Sequence, residues 1–445
     1  MKDYFQQTTL DNPSGFTSLE HIDWTYKNAN IRCHTHGIHK YPARMIPQIP
    51  DTLFTYFKTN DVIQDGDLVF DPFAGSGTTA VEARRHGLHS ELNDINPFAC
   101  LLTRAKATPL DVGRLQDAVA ELKTGLTDEL TAIETRYEND ELDMDRPDVR
   151  DGWFPEPQLY QLVHIRNRID VLEGTAFDRD YTRYLRVALA ATTREISYQR
   201  DREFKRYRMA DSDRSAYDPD VYSRFHSWLE QNTRAMEAYS PNVDHSLRTN
   251  VCRADSRTDD RLDEDSVDIV ITSPPYGDHP TTVTYGQFST DPAIIAAEYE
   301  FDEMTDVDSL GLGGTERVIE PIEQIRSWSP TLDATLQTLS EKDGRDTDAL
   351  QFFSDYFAVM QQVNRVLKPG QPVVWVVANR RMSRTHIPTH QITRELCEHI
   401  GLDHETTLSR QIQFKTQPSE NAPDGTQGKT ETTMNHEYLV VLYAT

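Results

Sequence analysis

The sequence predicts an α/β fold: a twisted, mostly parallel sheet with helices on both faces and a helical insertion. Short apolar runs at residues 68–70 and 267–271 are bounded by turn residues, as buried parallel strands are. Residues 105–245 between them instead carry apolar side chains at helical spacing. Examples are Leu159, Leu162, Ile165, Ile169 and Leu172. The insertion therefore falls between the second and third predicted strands.

The first strand, residues 68–70, runs directly into the glycine-rich segment DPFAGSGTTAVEARRHG. Gly75 and Gly77 allow a tight turn and a close approach to a ligand, and a helix begins near Thr78 with its amides exposed. A phosphate loop of the Walker type would need a lysine after Gly77, and none is near. A dinucleotide-binding turn stays open, although Ala80 stands in place of its third glycine. We interpret this segment as a cofactor loop.

The second predicted strand, residues 88–93, ends at Asp94. A carboxylate at the tip of the strand beside a glycine loop can accept hydrogen bonds from both ribose hydroxyls of an adenosyl group. The alternative is an exposed aspartate at a strand end with no ligand.

The strand at residues 267–271 leads into the turn TSPPYGD. Pro274 and Pro275 fix φ and remove two backbone donors, which leaves a stiff turn with available carbonyls. Tyr276 offers a flat ring on which a flipped nucleobase can stack. The hydroxyl of Ser273 and the carbonyl of Pro274 offer acceptors for the hydrogens of an exocyclic amino group. Taken alone, the motif is also compatible with an ordinary turn at a strand end.

Together these motifs resemble the amino-methylating DNA methyltransferases, which methylate cytosine N4 or adenine N6. Residues 35–49, 253–278 and 352–380 extend the resemblance over about half of the chain. It implies a Rossmann-like methyltransferase fold, S-adenosyl-L-methionine as cofactor, and double-stranded DNA from which the target base is flipped. The cofactor-binding residues that it implies are Tyr41, Pro42, Asp71, Phe73, Gly75, Gly77, Thr78, Asp94 and Asp255, the last one meeting the adenine amino group. The implied catalytic residues are Ser273, Pro274, Pro275 and Tyr276.

The first residue of the catalytic turn bears on the target base. Within the resembled family a serine usually accompanies cytosine N4, whereas Asp or Asn more often accompanies adenine N6. Hydroxyl, carboxylate and amide oxygens all accept hydrogen bonds, so adenine N6 stays open as the alternative. Methylation of cytosine carbon 5 needs a thiolate, and none of the four cysteines lies in a Pro-Cys turn. The sequence favours site-specific cytosine-N4 methylation.

Three other functions remain open. An RNA amino-methyltransferase would share the glycine loop and the Pro-Pro-Tyr turn but should carry an added RNA-binding module. A non-enzymatic DNA-binding regulator and an NAD-dependent oxidoreductase are the other two. A cognate restriction endonuclease is a possible partner of the favoured enzyme.

The composition of the chain indicates its size class and its cellular location. The 445 residues allow a catalytic core and a domain-sized insertion. Four scattered cysteines, no leader segment and no long apolar run predict a soluble, cytoplasmic protein without a membrane partner. The cluster Cys33, His34, His36 and His39 lacks a second ligand pair at zinc spacing, so no metal is expected.

The acidic charge is unusual for a protein that binds nucleic acid. The net charge is −26, it is spread through the chain, and lysine is scarce beside arginine. We interpret this as a halophilic, haloarchaeal signature, because molar salt shortens the screening length to ~3 Å. An acidic mesophilic protein with a local basic face is the alternative.

One basic stretch, residues 194–209, interleaves cationic and aromatic side chains. We expect it to contact DNA phosphates. The alternative is a solvated helix face. The predicted DNA-binding residues are Arg200, Arg202, Lys205, Arg206 and Arg208.

The predicted segments follow from the placement of these motifs. The chain ends in a predicted antiparallel pair whose last strand is residues 438–443. Target recognition is expected in the helical insertion, in a later polar segment, or in both. The segments are an N-terminal lead-in (1–30), the cofactor half of the core (31–104), the helical insertion (105–245), core strands with the catalytic turn (246–287), the polar insertion (288–350) and the C-terminal part of the core (351–445).

Overall fold

A seven-stranded sheet lies at the centre of the computed structural model. Its strand order is β3-β2-β1-β4-β5-β11-β8. In chain order the strands are β1 (Leu68–Asp71), β2 (His89–Asp94), β3 (Thr249–Arg253), β4 (Ile269–Thr272), β5 (Pro372–Ala378), β6 (Arg380–Met382), β7 (Thr385–Ile387), β8 (Leu402–Gln411), β9 (Glu420–Asn421), β10 (Glu431–Thr432) and β11 (His436–Ala444). The structure describes residues 18–175, 177–200, 206–277, 284–297, 299, 301–342, 344–382, 384–412, 420–421, 431–432 and 435–445.

The predicted fold class is confirmed by the pairing of these strands. The strands from β3 to β5 run parallel, with Val69 opposite both Ser90 of β2 and Ile269 of β4. Only β11 runs antiparallel, between β5 and β8. The chain thus ends in an antiparallel pair, as expected, with a last strand slightly longer than predicted.

Helices cover both faces of the sheet. Val69 belongs to the apolar cluster that contains α1, while its neighbour Phe70 belongs to the cluster that contains α14, because successive strand residues point to opposite faces. Every residue of β5 is buried, as expected for a central strand. The helices are α1 (Gln48–Thr59), α2 (Thr78–Arg85), α3 (Pro97–Ala107), α4 (Val112–Lys123), α5 (Leu126–Glu138), α6 (Glu156–Thr175), α7 (Arg179–Ile196), α8 (Asp211–Arg214), α9 (Val221–Tyr239), α10 (Tyr285–Ala297), α11 (Phe301–Leu310), α12 (Ile325–Trp328), α13 (Pro330–Lys342), α14 (Asp346–Val366) and α15 (Thr389–His399).

The helical insertion lies between β2 and β3, as predicted. Its helices share one apolar cluster with α3 of the core and with α10, which follows the catalytic turn. Helix α7 packs directly on α10. The insertion is therefore attached to the segment that continues from the candidate active site. In the part of the chain that the structure describes, no helix is long and apolar enough to cross a membrane.

Candidate active site

A cavity opens at the carboxyl edge of the parallel strands, where β1, β2 and β4 end. The open space within it, about 1070 Å³, continues into solvent at its mouth. Ligands of open α/β sheets bind at this edge, beside the point where the strand order reverses, which here lies between β1 and β4. The sequence-predicted residues that line the cavity are Tyr41, Pro42, Asp71, Phe73, Gly75, Thr78, Asp94, Asp255, Ser273 and Pro275.

The glycine loop is held in place by the carboxylate of the neighbouring strand. Gly75 has a φ of 51°, and its N–H donates to Oδ2 of Asp94 at 2.8 Å. Oδ1 of Asp94 accepts from the N–H of Asn96, also at 2.8 Å. Asp94 thus fixes the loop while it remains partly exposed on the cavity wall.

Gly77 has a different position from Gly75. It precedes α2 with a φ of 81°, and a Cβ there would lie 2.8 Å from Cα of Thr103 on α3. It does not line the cavity. This glycine permits the close packing of α2 against α3, and so its effect on a cofactor is indirect.

Asp71 connects the two strands that carry the motifs. Its Oδ1 accepts from the hydroxyl of Thr272 at 2.6 Å and from the N–H of Phe73 at 3.0 Å. Burial raises the pKa of Asp71 to about 6. Burial, with a smaller effect from the Asp71 carboxylate, raises the pKa of Asp94 to about 7. Both carboxyl groups therefore titrate near neutral pH.

The wall opposite the glycine loop contains an ion-pair network that the sequence analysis missed. Asp255 accepts from Nε of Arg257 at 2.9 Å and from its Nη2 at 2.6 Å. The Arg257 side chain is 1% exposed, and its Nη1 lies 3.1 Å from Oδ2 of Asp355 on α14. Leu310, Leu312 and Val359 give this wall an apolar surface. Asp255 is therefore an oriented carboxylate at the edge of an apolar wall.

Two tyrosines form the side of the cavity next to the insertion. The rings of Tyr41 and Tyr285 are stacked, with centroids 5.8 Å apart. The hydroxyl of Tyr41 accepts a hydrogen bond from Nδ2 of Asn96 at 3.2 Å. Tyr285 begins α10 and was not predicted, because it lies beyond the catalytic turn and only the fold brings it to Tyr41.

Some side chains of the catalytic turn line the cavity, and others contact the end of the sheet. Ser273 and Pro275 line the cavity, whereas Pro274 is buried and Tyr276 lies beside the cavity lining without being part of it. The hydroxyl of Tyr276 donates to Oε1 of Glu437 at 3.0 Å, and Oγ of Ser273 donates to the Tyr276 hydroxyl at 3.4 Å. The turn is thereby bound to β11, a contact that the sequence analysis missed.

The basic stretch is not a helix face beyond the end of α7. The N–H of Arg200 donates to the carbonyl of Tyr207 at 2.8 Å, and the N–H of Met209 donates to that of Tyr198 at 2.8 Å. These bonds form two paired arms on which Arg200 and Arg208 are exposed. Two further predicted phosphate contacts, Arg202 and Lys205, lie outside the described residues.

Arg206, which was also predicted to contact phosphate, has partners within the protein. Its side chain is 8% exposed and lies 3.4 Å from a carboxylate oxygen of Asp291. Its Nε donates to the carbonyl of Gln287 at 2.9 Å. Both partners lie on α10, so Arg206 joins the basic arms to that helix. A pattern of basic residues does not reveal which guanidinium folds inward to meet a buried carboxylate.

The histidines of the early Cys-His cluster have partners within the protein. Nε2 of His36 lies 2.6 Å from Oε1 of Glu82, and Nδ1 of His34 lies 3.3 Å from the carbonyl oxygen of Ala238. A neighbouring group formed by Asp51, Glu82 and His86 has oxygen and nitrogen atoms close enough to hold a cation. Arg85 pairs with both of its carboxylates and already supplies positive charge there.

The chain is similar to several known methyltransferases. A family model described as DNA methylase matches residues 9–104. The type II methyltransferase M.MvaI of Kocuria varians is 33% identical over 441 residues, which cover 94% of this chain and 92% of that protein. The type II methyltransferase M.MjaII of Methanocaldococcus jannaschii is 37% identical over 89 residues, 20% of this chain and 16% of that protein.

The similarity to one solved structure is weaker than these sequence similarities. It involves a Thermus thermophilus protein, provisionally identified as a DNA modification methylase, in complex with S-adenosyl-L-methionine. The TM-score is 0.21 at 18% identity, covering 43% of this chain and 53% of that one. The fold assignment therefore rests on the strand order described above.

Proposed function

This chain belongs to the N6/N4 type of the DNA methylase family, and from that premise we propose that it methylates cytosine N4 at a specific site in double-stranded DNA. The family makes it a DNA methyltransferase that uses S-adenosyl-L-methionine. The choice of cytosine N4 is supported by one observation: a serine, Ser273, lines the cavity at the end of β4.

The cavity has the donor and acceptor groups that the cofactor requires. Asp94 suits the two ribose hydroxyls, since a carboxylate oxygen that accepts one backbone N–H still has a free lone pair. Asp255 suits the adenine amino group beside the apolar wall, and the segment of Tyr41 and Pro42 suits the methionine end. When bound, the cofactor supplies the methyl group on its sulfonium. These residue roles are part of the proposal.

The catalytic turn then acts by orientation. The hydroxyl of Ser273 and the carbonyl of Pro274 accept the two amino hydrogens of a flipped cytosine, while Tyr276 stacks on the base. Held in this way, the nitrogen lone pair points toward the methyl group. No covalent bond to the protein is needed, and the proton is lost after transfer.

Adenine N6 is the second candidate, because the same oxygen acceptors suit an adenine amino group. A cognate restriction endonuclease belongs to the proposal, since the two curated relatives are type II methyltransferases. An RNA amino-methyltransferase and a non-enzymatic DNA-binding regulator are less well supported. The excess of acidic residues supports adaptation to a salt-rich, haloarchaeal cytoplasm.

Positioning of the DNA is assigned to the helical insertion, and sequence recognition to that insertion, to the polar insertion (288–350), or to both. Arg200 and Arg208 are exposed on the two basic arms, and buried Arg206 attaches those arms to α10, which begins with the cavity residue Tyr285. DNA held by the arms would therefore lie close to the catalytic turn. Arg200 and Arg208 are proposed to contact phosphates.

The test is to express the chain in a host without DNA methylation and to sequence the modified bases. We expect N4-methylcytosine in one sequence motif, and none from a Ser273→Ala variant that still binds S-adenosyl-L-methionine. N6-methyladenine would contradict the choice of base. Unmodified DNA from a folded wild-type protein that binds DNA and cofactor would support the regulator instead.

A further inference from the structure

A basic hairpin follows β5 at the same edge of the sheet as the active site. It consists of β6 and β7, and α15 begins directly after it. Residues 379–394 contain no Asp or Glu, although the whole chain has a net charge of −26. This concentration of positive charge was not noticed in the sequence.

The hairpin is fixed against the catalytic turn. Because β5 pairs in parallel with β4, with Trp375 opposite Thr272, the residues after β5 continue beside those after β4. The guanidinium of Arg380 occupies the space that a Cβ of Gly277 would fill, and it also lies over the ring of Phe352 at 5.2 Å. Arg380 is 3% exposed and anchors the hairpin.

Other cationic groups of the hairpin face outward. Met382 and Ile387 are buried, whereas Arg381 and its cross-strand partner His386 are exposed, as the two-residue period of a strand requires. Arg384 at the tip is also exposed. The buried residues hold the hairpin on the core, and the charges face solvent.

Two neighbouring groups extend the same surface. The Arg394 side chain on α15 is 42% exposed, and its Nε lies 3.8 Å from Oε2 of Glu398 one turn further along the helix. Lys342, at the end of α13, donates from Nζ to Oγ1 of Thr385 at 3.1 Å. Burial and then the Arg381 guanidinium lower the pKa of His386, while burial, His386 and Arg394 lower the pKa of His390. The positive charges are therefore close enough to act on one another.

We propose that Arg381, Arg384 and Arg394, with the uncharged His386 imidazole beside them, form a surface that contacts the phosphates of double-stranded DNA beside the flipped nucleotide. This deepens the proposed function, on which it rests. An acidic protein repels DNA at long range, so its phosphate contacts must come from local basic surfaces. This surface adjoins the catalytic turn, where the DNA backbone must pass for a base to enter the cavity.

The test compares two exposed arginines at opposite ends of the parallel strands. Arg381→Gln removes a charge from the hairpin, beyond the carboxyl ends of the strands. Arg248→Gln removes one just before the first residue of β3, at the amino ends. Binding of each purified full-length variant to a fluorescent duplex is measured by anisotropy across a series of KCl concentrations. For Arg381→Gln we expect up to about tenfold weaker binding and a salt slope lower by about 1. Arg248→Gln should behave like the wild type.

A double variant strengthens the test. Arg381→Gln with Arg384→Gln should lower the salt slope by about 2. Calorimetry should give unchanged affinity for S-adenosyl-L-methionine, and the melting temperature should stay close to that of the wild type. Binding equal to that of Arg248→Gln would overturn the proposal. A loss confined to one DNA sequence would also overturn it, because phosphate contacts carry no sequence information.

The outcomes separate this proposal from the proposed function. If the wild type methylates cytosine N4 and the double variant binds DNA as tightly as the wild type, the hairpin surface is wrong and the function stands. If the wild type binds DNA but modifies no cytosine, the proposed function fails. In that case a loss of binding in the double variant would still support the surface.

Discussion

Tyr276 is tethered to Glu437 through its hydroxyl group, with 3.0 Å between the two oxygens. Arg410 holds the other carboxylate oxygen of Glu437. A hydrogen bond at the hydroxyl restrains the ring at its tip without using either face. Burial, reinforced by the carboxylate, raises the pKa of Tyr276 well above that of an exposed tyrosine, and the hydroxyl stays protonated as a donor.

Removing the ring should affect transfer and not cofactor binding. Stacking of a base on an aromatic ring contributes ~1–3 kcal/mol, so Tyr276→Ala should lose roughly 5- to 150-fold in methyl transfer. Tyr276→Phe keeps the ring without its tether and should fall between Tyr276→Ala and the wild type. Single-turnover rates and calorimetry give the two quantities, with Tyr137→Ala on the exposed face of α5 as control. A Tyr276→Ala enzyme as fast as its parent would make the turn purely structural.

A side chain at Gly75 should block cofactor binding. Gly75→Leu places a large group where the loop faces the cavity. Gly66→Leu is the control, because Gly66 also has a positive φ (87°) but has no atom within 4 Å of its Cβ position. By calorimetry we expect no binding of S-adenosyl-L-methionine to the first variant and normal binding to the second. Normal affinity in a folded Gly75→Leu protein would reject the assignment of the loop.

Replacing Gly77 should lower the free energy of unfolding. A left-handed alanine costs roughly 1–2 kcal/mol, and Gly77→Ala adds a contact of 2.8 Å between its Cβ and Cα of Thr103. Gly66→Ala carries the strain without the contact. Urea denaturation should therefore give the larger loss of unfolding free energy for Gly77→Ala. Equal losses would mean that α2 and α3 can move apart at little cost.

The stability of the fold should depend on pH through Asp94. Its pKa is about 7 in the folded protein against an ordinary value of 3.8, so the folded state binds the proton more tightly. That contribution to stability is complete below pH ~4 and is lost as pH rises through ~7. Asp71, with a pKa of about 6, acts in the same direction.

Denaturation at several pH values in constant high salt tests this dependence. The unfolding free energy of the wild type should fall from pH 4 to 7, and the fall should be smaller for Asp94→Asn. All other acidic groups are the same in the two proteins. The difference between their curves therefore reports Asp94 and not the general charge of the protein. Parallel curves for the two proteins would show that Asp94 is not the group that titrates.

Salt should act on folding and on DNA binding with opposite signs. If the net charge of −26 reflects a salt-rich cytoplasm, both the melting temperature and the initial rate should rise toward molar KCl, because screening relieves repulsion among carboxylates. In an ordinary DNA methyltransferase, salt competes with phosphate contacts and lowers the rate. Steady inhibition of an enzyme that is stable at low salt would reject the halophilic interpretation and leave the enzyme assignment unchanged.

The parts of the site that could be predicted lie in continuous segments. Asp71 and Asp94 end neighbouring strands, Gly75 follows Asp71 in the same loop, and parallel strands bring their carboxyl ends to one edge. The rest of the site is assembled across the chain. Arg257 meets Asp355 from α14, and Tyr276 meets Glu437 from the last strand, contacts that no local spacing reveals.

Short elements were also beyond prediction. Strands β6 and β7 have three residues each, too few for a period-two pattern to appear. The left-handed backbone of Arg384, with a φ of 64°, forms the tip without a glycine to mark it. The basic arms were found because their charges are consecutive, but burial of Arg206 depends on Asp291 from α10.

The helical insertion lies in the connection between β2 and β3, which affects the cost of folding and the ease of replacing the insertion. The connection leaves β2 at Asp94 and enters β3 at Thr249, which pairs with Ser90, so its two ends are separated by only about one strand length. Closing such a loop costs little more when the loop is long, about 0.6 kcal/mol for each doubling of its length. The strands can therefore pair around an insertion of almost any size. Because the insertion shares an apolar cluster with α3 and α10, helices grafted after α3 from another enzyme must keep the side chains that pack on those two helices.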